Sequence, residues 1–222
     1  MKRVIPLLLT LALLPVVVAC SDDEVDSRYT DYRYDIVTYL GTDGTTARFA
    51  MTPREGRPTI TLTADIAIDP RYKAGQRMWL RYMPETGLTD TLCRVTAYAA
   101  TAVTTDSLRY SVRPIGHYTS QMQPVDPLSL WQTGDYVNLH FKVEYTPNSR
   151  HFYLLLDSAS RHADTVRTYL VNNTFNDTLY HWRETYASFY IGSVLRQPTC
   201  RVLDIALTNR DNQLRHFYFK QQ

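Results

Sequence analysis

The chain has 222 residues, 44% of them hydrophobic and 12% aromatic, with 24 Lys+Arg against 22 Asp+Glu. A formal charge of +2, with no stripe of Lys and Arg, excludes the electrostatic footprint that a nucleic-acid partner requires. The length is enough to bury a sizeable core and fits one large domain or two small ones.

Lys2 and Arg3 precede an uncharged run from Val4 to Ala19. This run falls short of the roughly 20 apolar residues that span a bilayer, so residues 1–19 are predicted to be a removed export signal. Val17-Val18-Ala19-Cys20 resembles the bacterial lipobox, with valine in place of the commoner leucine, and assigns Cys20 as the lipidated (palmitate-bearing) residue. Ser21-Asp22-Asp23-Glu24 resembles the acidic tag that sends Bacteroidota lipoproteins to the outer face of the outer membrane. Residues 20–28 are therefore expected to be a lipidated acidic tether, and the protein to be lipid-anchored in the outer membrane, facing the exterior. Loss of Lys2 and Arg3 with the signal leaves 22 basic residues against 22 acidic ones in the mature chain.

Beyond the tether the hydrophobic period is two. Thr59–Asp65, Gln76–Tyr82, Tyr136–Tyr145, His151–Asp157 and Val202–Thr208 alternate apolar and polar positions, as half-buried strands do. In the third of these, Val137, Leu139, Phe141 and Val143 point one way, and Asn138, His140, Lys142 and Glu144 the other. Short helical pieces are expected only within Ala159–Leu170 and Thr178–Tyr186. Turn signals at 41–44, 53–58, 84–87, 147–149 and 209–212 divide the strands at short intervals. The proline-rich stretch 114–127 is read as a linker between a small β-barrel at 29–113 and a β-sandwich at 128–222. The fold class is all-β. Cys93 and Cys200 lie in apolar, strand-like runs and are expected as buried free thiols, with a disulfide as the alternative.

Gly75-Gln76-Arg77-Met78-Trp79-Leu80-Arg81-Tyr82 in the first half, and Asp126-Pro127-Leu128 leading into "WQTGDYVNLHF", resemble the NigD-like lipoproteins of Bacteroidota. Trp131, Gly134, Tyr136, Asn138 and Phe141 carry the clearest part of the likeness, with Val137 where leucine is usual. Asn172-Asn173 stands where many members have a histidine-asparagine pair. The resemblance implies an OB-like N-terminal barrel followed by a C-terminal β-sandwich, a name linked to bacteriocin immunity, and no catalytic activity.

The residues themselves offer little chemistry. None of the six histidines pairs with another at a spacing zinc sites favour, so no metal or cofactor is expected. Asp157-Ser158 with His162 and Asp164 places triad residue types side by side, which reads more simply as a polar turn. Trp79, Tyr153 and Tyr190 are candidate exposed stacking platforms. Thr91, Ser107, Ser158, Thr165 and Thr178 each follow an aspartate and precede a small or aliphatic residue, resembling the O-glycosylation signal of exported Bacteroidota proteins. Ser158 and Thr165 are favoured because they look loop-like. The expected function is a non-enzymatic surface lipoprotein that presents a β-domain interaction surface to a protein or envelope partner, immunity-like in character. The alternative is a glycan-binding accessory protein of an uptake system, which requires exposed coplanar aromatics flanked by carboxylates or amides. A hydrolase, which requires a nucleophile paired with a base, ranks third.

Overall fold

The computed structural model describes residues 32–53, 57–85, 88 and 91–220. The export signal, Cys20 and the tag Ser21, Asp22, Asp23 and Glu24 lie outside the described residues. No helix among the described residues is long and apolar enough to cross a membrane.

Five strands close a barrel: β1 (Arg33–Asp43), β2 (Thr46–Met51), β3 (Ile60–Asp65), β4 (Arg77–Pro84) and β5 (Leu92–Ala102), in the order β1-β2-β3-β5-β4. All pairs are antiparallel except β3 with β5, so the expected OB-like barrel is present. Alternation fills its interior: Val37, Phe49, Leu62, Met78, Leu80 and Tyr82 are fully buried, each worth roughly 1.5–3 kcal/mol of transfer free energy.

The remaining strands build the sandwich. These are β6 (Thr104–Ser107), β7 (Arg109–Tyr110), β8 (Asp126–Thr133), β9 (Tyr136–Glu144), β10 (His151–Leu156), β11 (Thr165–Asn173), β12 (Trp182–Tyr190), β13 (Val202–Thr208) and β14 (Leu214–Lys220). One sheet has the order β14-β13-β11-β10-β7 and the other β6-β12-β9-β8. Between them lies a core that includes Val137, Leu139, Phe141, Leu154, Leu156, Phe189 and Leu203. Phe141 stacks on Phe152 across the sheets at 4.9 Å and 5°. Gly134 makes the β8–β9 turn at φ +53°, where a side chain would be strained.

Three expectations need correction. The barrel ends at Ala102 and not at 113, because β6 and β7 pair with β12 and β10 in the two sandwich sheets. The stretch 114–127 is no free linker: a 3₁₀ turn at Ile115–Gln121 lays Ile115 and Tyr118 on the outer face of the larger sheet, against Tyr153, Leu155 and Val171. Of the helical pieces only a 3₁₀ turn at Ser158–Ser160 forms, at the edge of the first stretch. Thr165–Asn173 pairs with β10 and β13, and Trp182–Tyr190 pairs with β9 over its whole length, so ladder partners override weak local preference. The only α-helical turn among the described residues is α1, Gly192–Leu195. Cys93 and Cys200 are buried thiols, not joined in a disulfide, and belong to the barrel core and the sandwich core respectively.

Candidate functional site: the barrel–sandwich junction

The outer face of β4 packs on the outer face of the β9–β12 pair, and the side chains that meet there include the residues that carried the family resemblance. Arg77 is 3% exposed. It donates to Ser188 Oγ (3.0 Å), Thr38 Oγ1 (3.0 Å), the Ile36 carbonyl (3.1 Å), Asn138 Oδ1 (3.0 Å) and Thr133 Oγ1 (3.4 Å). Its guanidinium also lies 4.4 Å from the centroid of the Tyr136 ring. The acceptors are themselves tied together, since Ser188 Oγ donates to Asn138 Oδ1 at 2.8 Å and Asn138 Nδ2 to Thr133 Oγ1 at 2.8 Å. No carboxylate among the described residues pairs with Arg77. Burial lowers its pKa to about 10, so it remains charged at neutral pH, held by neutral oxygens and a ring face.

Beside this buried latch the same strands raise an aromatic belt. Trp79, half-buried, faces Tyr34 at 5.3 Å and Tyr186 at 6.0 Å, with ring planes 31° and 35° from its own. Tyr186 stacks on His140 at 4.4 Å and 7°. On the barrel side, Arg81 lies over Tyr32 at 4.7 Å, with Tyr98 at 5.8 Å and Tyr34 at 6.0 Å. Tyr34 is 51% and Tyr98 45% exposed. Register explains the row: Tyr34 opposes Arg81, and Tyr186 opposes His140. Glu184 closes one end, accepting from His140 Nε2 at 3.2 Å and approached by Lys142 at 3.7 Å. Arg81 Nε is buried with no hydrogen-bond partner. The depression against the belt, about 290 Å³, is lined by Trp79, Tyr186, Glu184, Thr104, Thr185 and the end of β5.

Of the three aromatic positions singled out from sequence, the structure brings only Trp79 into this belt. Tyr153 is 7% exposed beneath the 3₁₀ segment and stacked by Arg109 at 4.1 Å, so it is no exposed platform. Tyr190 sits apart, edge-on to Tyr136 at 5.5 Å and hydrogen-bonded to Arg196. Tyr34, Tyr186 and His140 were not singled out; their signal was an aromatic or histidine on the polar side of an alternating strand. Arg77 and Asn138 were likewise missed as site residues.

Among the hydroxyl positions, Thr91 and Thr178 are exposed and Thr165 is half-buried. Ser158 is exposed, but its hydroxyl donates to the Ser111 carbonyl at 2.5 Å; the side chain of Ser107 lies outside the described set. Among the described residues no histidine hydrogen-bonds to Ser158, whose hydroxyl partner is Ser111. His216 Nδ1 faces the buried Asp204 carboxylate at 3.0 Å, yet no hydroxyl or thiol among the described residues hydrogen-bonds to that imidazole. No group of three or more potential metal ligands occurs among the described residues.

Residues 118–220 match the family described as the NigD-like C-terminal beta sandwich domain. No curated protein matches the chain. Solved structures share its fold over 86% of its length, three of them as follows. A protein of unknown function from Bacteroides vulgatus has 13% identity and a TM-score of 0.69, with 91% of that chain covered. A candidate lipoprotein from Bacteroides fragilis has 12% and 0.61, with 98% covered. A NigD-like immunity protein from Bacteroides caccae has 16% and 0.60, with 97% covered. The C-terminal β-sandwich of this chain matches the NigD-like C-terminal domain, and it follows an OB-like barrel.

Proposed function

We propose that the protein is a non-catalytic lipoprotein, anchored through Cys20 in the outer membrane and facing the exterior, that binds a saccharide chain along the junction belt. The belt carries this reading. Tyr34, exposed, and Trp79 and Tyr186, half-buried, form one contiguous row of tilted rings of the kind against which sugar rings pack, and Glu184 and Arg81 supply polar partners at its edges. Likeness to a candidate lipoprotein supports the anchor, as does the lipobox.

The test is affinity electrophoresis of the mature protein through gels holding neutral and uronate-bearing polysaccharides. Retardation by at least one is expected, with Trp79→Ala or Tyr186→Ala weakening it about tenfold or more. Retardation by none, or equal retardation of folded variants, overturns the reading. Cys20→Ser should abolish partition into detergent, and neutral replacements of Asp22, Asp23 and Glu24 should leave a lipidated protein shielded from external protease on intact cells.

A second reading, an immunity-like role with a protein partner on the same belt, draws on the likeness to the NigD-like immunity protein. Pull-down of a protein partner that Trp79→Ala abolishes, without saccharide binding, would favour it.

A further inference from the structure

A second cleft opens where the two sandwich sheets part, next to β6 and β7. It measures about 480 Å³ and has Phe141, Val143 and Phe152 at its base. Arg109, Arg150 and Arg183 line it against a single carboxylate, Asp106, leaving two formal positive charges. Asp106 is bonded to Arg109 at 2.7 Å. Arg150 reaches Asn172 Oδ1 at 3.0 Å, Thr146 Oγ1 and the Glu144 carbonyl, all of them neutral acceptors. Its pKa is lowered first by burial and then by the charge of Arg183. Arg183 lies over the Tyr145 ring at 4.9 Å and has no carboxylate within ion-pair distance among the described residues. Two arginines therefore repel one another across a partly enclosed space, a repulsion that the Glu144 charge offsets in part for Arg150.

The cleft is not separate from the belt. Thr104 and Thr185 line both depressions, so the ring platform of Trp79 and Tyr186 gives way, over the edge strand β6, to the arginines. We infer that the ligand is an acidic saccharide, whose neutral part stacks on the belt while a carboxylate seats between Arg183 and Arg150. The cleft has room for a sugar unit. A guanidinium fork matches a carboxylate in a bidentate way, and an anion placed there would relieve the repulsion. This deepens the saccharide reading and rests on it.

The experiment compares the mature protein's affinity for a tetragalacturonide, for its carboxyl-reduced neutral counterpart, and for a glutamate tetrapeptide. The uronate should bind about tenfold tighter than its neutral counterpart. Arg183→Gln should erase that difference while sparing the neutral chain, and Trp79→Ala should weaken both saccharides. Arg183 is exposed, so this variant should fold; Arg150→Gln, checked by thermal melting, is the second arm. Equal affinity for the two saccharides overturns the acid site and leaves the belt standing. A peptide that binds as tightly as the uronate, indifferent to Trp79, assigns the cleft to acidic protein segments and overturns the inference. Binding of neither saccharide overturns both readings.

Discussion

Arg77 of the barrel donates to Asn138 of the sandwich at 3.0 Å, and both are buried. The two belong to the separate stretches on which the family resemblance rested, which gives those stretches a physical reason: they are the two halves of the domain junction. An arginine here does what a lysine could not. Its planar fork reaches five acceptors, two on β1 and three on β8, β9 and β12 of the smaller sandwich sheet, while an ammonium offers three donors from a single point.

Arg77→Met should therefore destabilise the protein by about 2–4 kcal/mol, since charged hydrogen bonds contribute roughly 1.5–3 kcal/mol each and part of this is offset by the burial cost of the charge. Arg77→Lys should recover less than half of the loss. A double-mutant cycle with Asn138→Ala should give a coupling of about 1 kcal/mol or more. Urea unfolding of the four proteins measures it, and additive losses would mean that the two residues act independently.

Alkaline stability should report on Tyr82. The phenol donates to Asp35 Oδ2 at 2.9 Å inside the barrel wall. Burial, then the Asp35 charge and this bond, hold its pKa far above the ordinary tyrosine range. The unfolded chain ionises near pH 10 while the folded one keeps its proton, so stability is whole below pH 10 and falls as pH rises beyond it. Tyr82→Phe should cost about 1–2 kcal/mol at pH 7. The gap between wild type and variant should narrow by about 1.4 kcal/mol by pH 11. A gap that stays constant from pH 8 to 11 would remove Tyr82 from the alkaline transition.

The strands were legible because alternation is written directly into residues such as Val137, Leu139, Phe141 and Val143, whose burial follows from their period. The covering of the opposite face was not. Asn138 and His140 share one polar side, yet Asn138 is fully buried under Arg77 while His140 remains partly exposed beside Tyr186. Alternation reports that a strand has two faces; it cannot say that a second domain lies on half of one. Tyr153 was misplaced for the same reason, because the segment that covers it read as a proline-rich linker. Trp182–Tyr190, with charges and aromatics mixed at its start, carried a strand signal only in its last residues, and its identity comes from β9 alongside. Trp79 was legible as an outward aromatic, but its partners Tyr34 and Tyr186 come from strands that no sequence spacing connects.

Cys93 and Cys200 should remain thiols. They sit in different cores, and burial raises the pKa of Cys200, withholding the thiolate that would react. The mature protein should take up iodoacetamide slowly when native. Both cysteines should be labelled once it is unfolded in guanidinium, without prior reduction. A tryptic peptide pair linking the two, or one labelled only after reductant, would overturn this.

The aspartate-hydroxyl triplets divide by the state of their hydroxyls, and the structure reorders them. A glycan needs a reachable hydroxyl whose bonding can be given up at small cost. Ser158, favoured by sequence, donates to the Ser111 carbonyl while Ser111 Oγ accepts from its amide, so modification would break a closed pair at the β7 edge. Thr178 is exposed in the loop before β12, where the Asp177 carboxylate accepts from the Thr178 amide and fixes the backbone without using the hydroxyl. Thr91 is exposed too, but its carbonyl accepts from the Thr61 amide at the start of the β3–β5 ladder, which presses the chain against the barrel. Thr178 is therefore expected to be occupied first in protein purified from its native host, and Ser158 last. Intact mass, followed by peptide mapping of wild type and Thr178→Ala, checks the order. Full occupancy of Ser158 with Thr178 bare would reverse it, and a mass without any sugar increment would reduce the triplets to turns that lead into strands.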